Sequence, residues 1–277
     1  MHSTPHGAAV TATGYGLRGP RGWVFRDVGL AAQPGSLIAV EGPSGSGRTC
    51  LLLALTGRMA TTAGTAEVAG LPLPKKKAAV RAVTALAHVP GVTDLEPALT
   101  VAEHLRERTL LQRRFATLSQ LLRGGARSAL PRPRRERTAA ARARIDAALE
   151  AAGLDLATLP KGDRTSVRDL ERPEALRLSI ALALIGRPRL LALDDTDMKL
   201  PDDERAALWA TLRSLAESGT TVLAVCSQAP DGAVVVRTTP RGDGRDTEAD
   251  TETGTGGTGS RDDEKGAADA LAEAGRA

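Results

Sequence analysis

Leu37-Ile-Ala-Val-Glu-Gly-Pro-Ser-Gly-Ser-Gly-Arg-Thr-Cys-Leu-Leu-Leu-Ala-Leu-Thr-Gly57 decides the fold of this chain. Its apolar start, 37–40, has the length of a buried strand. A glycine-rich turn follows over 42–47, and 49–55 reads as a buried helix ended by Gly57. The phosphate-loop pattern G-x-x-x-x-G-K-[ST] is met at Gly42, Gly47 and Thr49, with Arg48 where the pattern has lysine. Each residue type has a physical reason. Glycine lets the backbone turn its N–H groups onto an anion. The helix behind aims its free amides and its positive dipole end at the same point. Backbone amides from Val40 to Cys50 would then cradle a triphosphate, with Ser44, Gly45 and Ser46 in the loop. The Thr49 hydroxyl suits Mg²⁺. Arg48 keeps the cation but replaces a compact ammonium with a planar fork.

The second informative stretch is Leu190-Leu-Ala-Leu-Asp-Asp195. A carboxylate at the carboxyl end of a buried strand stands where open α/β sheets bind ligands. Asp194 is therefore expected to hold Mg²⁺ opposite Thr49, and Asp195 to polarise a water.

Outside these motifs, 23–30, 64–70, 84–89, 189–195, 220–225 and 234–237 read as strands. Helices are expected over 100–122, 138–152, 174–184 and 202–218. Continuous apolar strands alternating with helices predict a mostly parallel sheet covered on both faces. The expected organisation is a flexible start or an edge strand over 1–13, one domain over 14–238 with a helical part at about 98–185, and a disordered polar tail over 239–277. Residues 72–77 read as an exposed loop whose three lysines are solvated.

Of the 277 residues, 42% are hydrophobic but only 2% aromatic, so the core must be Leu, Val, Ala and Ile. Net charge is +4, carried mainly by arginine. The basic break at 123–137, and the Arg-rich insert 123–144 that contains it, read as solvated surface, with anionic lipid headgroups or a membrane partner as the first alternative and nucleic acid as the second. With so few aromatics for base stacking, no nucleic-acid partner is expected. Two cysteines make no disulfide framework and fit a reducing compartment. Neither a signal peptide nor a spanning segment is read.

The order and spacing of these motifs over 15–236 resemble the nucleotide-binding subunit of an ATP-binding cassette (ABC) transporter. The segments 89–101, 177–195 and 220–226 match that family in register. The resemblance implies an α/β P-loop NTPase fold of the ABC type: a mostly parallel core, a small antiparallel β subdomain and a helical subdomain. It implies Mg-ATP, with Tyr15 or Trp23 stacking on adenine. Two ATP-binding subunits, identical or different, would sandwich the nucleotides and drive an integral membrane permease from its cytoplasmic face. Five positions depart from the family pattern. Arg48 replaces lysine, Glu171-Arg172-Pro173 replaces the Ser-Gly-Gly that follows Leu170, Gly91 replaces the coupling-loop glutamine, Asp195 replaces the catalytic glutamate, and Ser227 replaces the switch histidine. The expectation is that ATP binds and that hydrolysis is slow or needs a complementary subunit. The alternatives are a pseudo-ATPase or regulatory module without transport work, and a P-loop ATPase or kinase with no membrane partner.

Overall fold

The computed structural model describes residues 6–122, 134–196 and 200–238. The chain opens on two long strands, β1 (Val10–Gly19) and β2 (Gly22–Ala32). Then come β3 (Leu37–Glu41), the glycine-rich loop and α1 (Arg48–Leu55). Next are β4 (Ala63–Val68), β5 (Leu71–Leu73), α2 (Lys77–Val83) and β6 (Thr84–Leu86). Three helices follow, α3 (Val101–Leu122), α4 (Arg134–Ala152) and α5 (Arg172–Leu184). The described chain closes with β7 (Leu190–Leu193), α6 (Asp202–Glu217), β8 (Thr221–Cys226) and β9 (Val234–Arg237).

Five strands form a parallel sheet in the order β6-β7-β8-β3-β9, and four form an antiparallel sheet in the order β2-β1-β4-β5. The inner strands β7, β8 and β3 are almost wholly apolar because both faces are covered, whereas β9 at the edge exposes Val235 and Arg237. Alternate residues separate onto the two faces. Leu37, Ala39, Leu191, Leu193, Val222 and Ala224 pack with α3 to α6. Ile38, Val40, Leu190, Ala192, Leu223 and Val225 pack with α1 and the antiparallel sheet. Leu51, Leu52 and Leu55 of α1 are fully buried in that second core. Each such side chain contributes about 1.5–3 kcal/mol relative to exposure, so the helix behind the loop is firmly seated.

The structure corrects the sequence reading in four places. Residues 6–13 are neither a loose end nor an edge strand, because from Val10 they enter an inner strand of the antiparallel sheet. Val10, Thr11 and Ala12 pair with β2 on one side and β4 on the other, and Ala8 and Val10 are fully buried. The Ala8 N–H donates to the Arg189 carbonyl and to Thr221 Oγ1, each at 3.0 Å. Alternation of Ala8, Val10 and Ala12 with Thr11 and Thr13 carried this signal, masked by the smallness of alanine. The segment 72–77 is not simply a loop, since it ends β5 and begins α2, although Lys75 and Lys76 are exposed as expected. The strand expected over 84–89 ends at Leu86. The helices starting at Arg134 and Arg172 begin earlier than expected, which takes Arg134 to Arg137 out of the basic break. Most of that break, the N-terminal five residues and the tail from 239 lie outside the described residues.

Candidate functional site

The loop between β3 and α1 is shaped by contacts that leave no room for side chains. Gly47 caps α1 at φ 81°, a left-handed conformation. A Cβ there would lie 2.4 Å from the Val24 carbonyl oxygen, because β2 passes directly against the turn. A Cβ on Gly42 would meet Thr238 Oγ1 at 2.5 Å and Ser46 Oγ at 2.8 Å. The hydroxyls of Ser46 and Thr238 bond each other at 2.6 Å, with Ser46 fully buried. Ser44 and Gly45 are exposed, with Gly45 at φ 80°. Because Gly47 has no side chain to cap the helix, α1 keeps an uncapped N-terminus behind the loop. Cys50 lies in its first turn, is half-buried and forms no disulfide.

Thr49 Oγ1 donates to Asp194 Oδ2 at 2.5 Å, joining two motifs 145 residues apart. The other carboxylate oxygen, Oδ1, accepts the Asp195 N–H at 2.9 Å, and the Asp194 N–H donates to the His88 carbonyl at 2.6 Å. Asp194 is buried, and burial raises its carboxyl above the ordinary aspartate range. The Thr49 bond, the Asp195 amide and the Arg48 charge oppose that rise without cancelling it. Asp195 follows at φ 58°, a left-handed backbone that aspartate tolerates better than most side chains.

Arg48 Nη1 donates to the Cys226 carbonyl at 2.7 Å, so the cation of the loop reaches the last residue of β8. Ser227 comes next and is exposed. Thr196, beyond the aspartate pair, donates from Oγ1 to the Val225 carbonyl at 2.8 Å. Two sites absent from the sequence reading emerge here. Thr238 holds Ser46, and His88 stands under the electrostatic influence of Asp94, Asp195, Asp194 and Arg172, with burial pushing its imidazole below the usual range. No motif could have flagged Thr238, whose role depends on β9 lying beside β3.

The two aromatic candidates separate. Tyr15 is fully buried, its ring 6.2 Å from that of Phe25, so it has no free face for a base; this corrects its candidacy. Trp23 is half-buried and adjacent to Val24, whose carbonyl abuts Gly47, and the Arg18 guanidinium lies 5.9 Å from its ring centroid.

The ABC transporter family model matches residues 25–197, which holds both the loop and the aspartate pair. The chain belongs to the ABC transporter family. Among its relatives is the Nod factor export ATP-binding protein I of Cupriavidus pinatubonensis, 30% identical over 200 residues, covering 72% of this chain and 53% of the relative. The protein of the same name from Paraburkholderia xenovorans is 31% identical over 190 residues, covering 69% and 53%. The chain thus spans about half the length of the curated relatives it matches. Similar solved structures include a dimeric ATP-binding cassette bound to ADP and phosphate (TM-score 0.58, 20% identity, 79% of this chain and 88% of that one). A bacterial Atm1-family ABC exporter with ATP bound is similar at TM-score 0.59, with 20% identity and coverage of 86% and 38%. At that identity these structures confirm the fold: a P-loop NTPase of the ABC type, with a parallel sheet, a small antiparallel sheet and helices.

The altered positions of this ABC chain have structural consequences. Glu171 is the N-cap of α5 in a capping box: its carboxylate accepts the Glu174 N–H while Glu174 accepts the Glu171 N–H at 2.8 Å. Pro173 deletes another first-turn donor. Gly91, where the family has glutamine, donates its N–H to Asp94 Oδ2 at 2.9 Å. Among the described residues no cluster of three or more His, Cys, Asp or Glu could hold a metal ion. Thr49 and Asp194 nevertheless fit Mg²⁺, which takes one or two protein oxygens and completes its shell with phosphate and water.

Proposed function

We propose that this chain binds Mg-ATP between the β3–α1 loop and Asp194, as the ATP-binding subunit of an ABC transporter. Binding and slow hydrolysis would be coupled to an integral membrane permease at the cytoplasmic face. The observation that carries this is the 2.5 Å bond from Thr49 to Asp194, at the mouth of a loop whose helix has no side-chain cap. That hydroxyl and carboxylate are hard oxygen donors one Mg²⁺ can take together. When bound, Mg²⁺ supplies neutralisation of phosphate charge. The α1 amides and Arg48 bind the phosphates, and Trp23 offers a base-stacking surface at the edge of the loop. Asp195 orients the attacking water.

Four features support slow turnover. Asp195 is one methylene shorter than glutamate, and a misplacement of about 1 Å can cost about 100-fold in rate. Ser227 takes up no charge at neutral pH. Gly91 brings no side chain to the water. At α5 the helix start is occupied by its own carboxylate, which disfavours a second subunit's phosphate there. A different ATP-binding subunit with an open signature helix is therefore the partner these residues support best. The export proteins among its relatives favour the transporter reading over a regulatory module.

Calorimetry of Mg-ATP with the purified chain, together with phosphate release alone and after co-purification from membranes, tests this. The expected result is Mg-dependent binding with slow release, weakened by Trp23→Ala. Absence of binding, or rapid turnover by the chain alone that Asp195→Asn abolishes, would refute the corresponding half.

A further inference from the structure

We propose that Arg48 is a bridge: one edge of its guanidinium keeps the Cys226 carbonyl while the other takes the outer phosphates, so restoring lysine weakens binding. This rests on the nucleotide reading above. Arg48 is the first residue of α1, directly after Gly47, and its side chain crosses to the end of the neighbouring strand. There Cys226 is paired in the parallel ladder with Glu41, the residue before Gly42. The side chain thus ties the far side of the loop to the strand beside its near side, closing the loop into a ring. One of five guanidinium N–H groups serves that tie, leaving four in a fixed planar fork. Lysine offers three donors on a single nitrogen, so an ammonium placed for the carbonyl is displaced from the phosphates.

The end of β8 carries both halves of the site. Val225 holds the aspartate loop through Thr196, and Cys226 holds the phosphate loop through Arg48. Ser227 follows immediately, so a phosphate pulling on the guanidinium is felt in the segment where the family places its switch.

The test titrates Mg-ATP into the full chain, comparing wild type with R48K and R48A, while amide exchange is followed over residues 226–228. R48K is expected to bind about tenfold more weakly, the loss of one charge-assisted bond, and R48A more weakly still. In wild type, ATP should slow exchange over 226–228; in both variants that protection should disappear. Melting temperatures verify that the variants fold. Equal or tighter ATP binding by R48K overturns the bridge, as does a lowered melting temperature with affinity retained. The wild-type exchange measurement needs no variant, and no ATP-dependent change there also overturns it. If wild type itself binds no ATP, the nucleotide reading fails first, which is a distinct result.

Discussion

The bond between Ser46 and Thr238 is expected to hold the phosphate loop in shape without touching a ligand. Ser46 is fully buried, Thr238 nearly so, and their hydroxyls lie 2.6 Å apart. Ser46→Ala leaves Thr238 Oγ1 with only a poor 3.5 Å contact to the Glu41 carbonyl. Leaving a buried hydroxyl without a proper partner costs about 1–3 kcal/mol, and Thr238→Val strands Ser46 in the same way. The double variant strands neither group and loses only a net hydrogen bond, about 0.5–1.5 kcal/mol. With each single change near 2 kcal/mol and the pair near 1, the coupling approaches roughly 3 kcal/mol, the upper end for neighbouring groups. Urea unfolding of the four proteins measures this, the midpoint reporting stability provided the slope is unchanged. ATP affinity should follow the same order, since a loosened loop must be re-ordered on binding. Additivity within about 0.5 kcal/mol would refute the coupling, because independent sites behave that way.

Gly47→Ala should cost more than a surface change, since the new Cβ would lie 2.4 Å from the Val24 carbonyl at φ 81°. Left-handed strain of roughly 1–2 kcal/mol adds to displacement of β2, so both the urea midpoint and ATP affinity should fall. Asp194 gives a pH test. Its native carboxyl titrates above the ordinary value, so the native state binds the proton more tightly and stability declines as pH rises through that interval. Asp194→Asn should therefore stabilise the nucleotide-free protein at neutral pH relative to pH 3 in urea unfolding. It should also remove the rise of Mg-dependent ATP affinity with pH; no pH-dependent difference from wild type would contradict the burial argument.

Much of this was legible because the chemistry constrains local sequence. A backbone that turns onto phosphate needs Gly42 and Gly47 at fixed spacing, and a strand buried on both faces must be apolar throughout. The N-terminal strand was obscured because Ala8 and Ala12 are small and the alternation is faint. Helix α2 went unread because a proline and two lysines precede it and a third lysine opens it. Tyr15 and Trp23 are both aromatic and both precede the loop, and only burial distinguishes them.

By itself the sequence determined the phosphate loop, the aspartate pair and the parallel sheet, each a pattern of neighbours along the chain. Tertiary structure alone decided which distant groups meet: Thr238 on Ser46, Arg48 on Cys226, and Tyr15 against Phe25. The reason is that a hydrogen bond or a buried ring depends on how strands and helices pack side by side. Spacing along the chain does not record that packing.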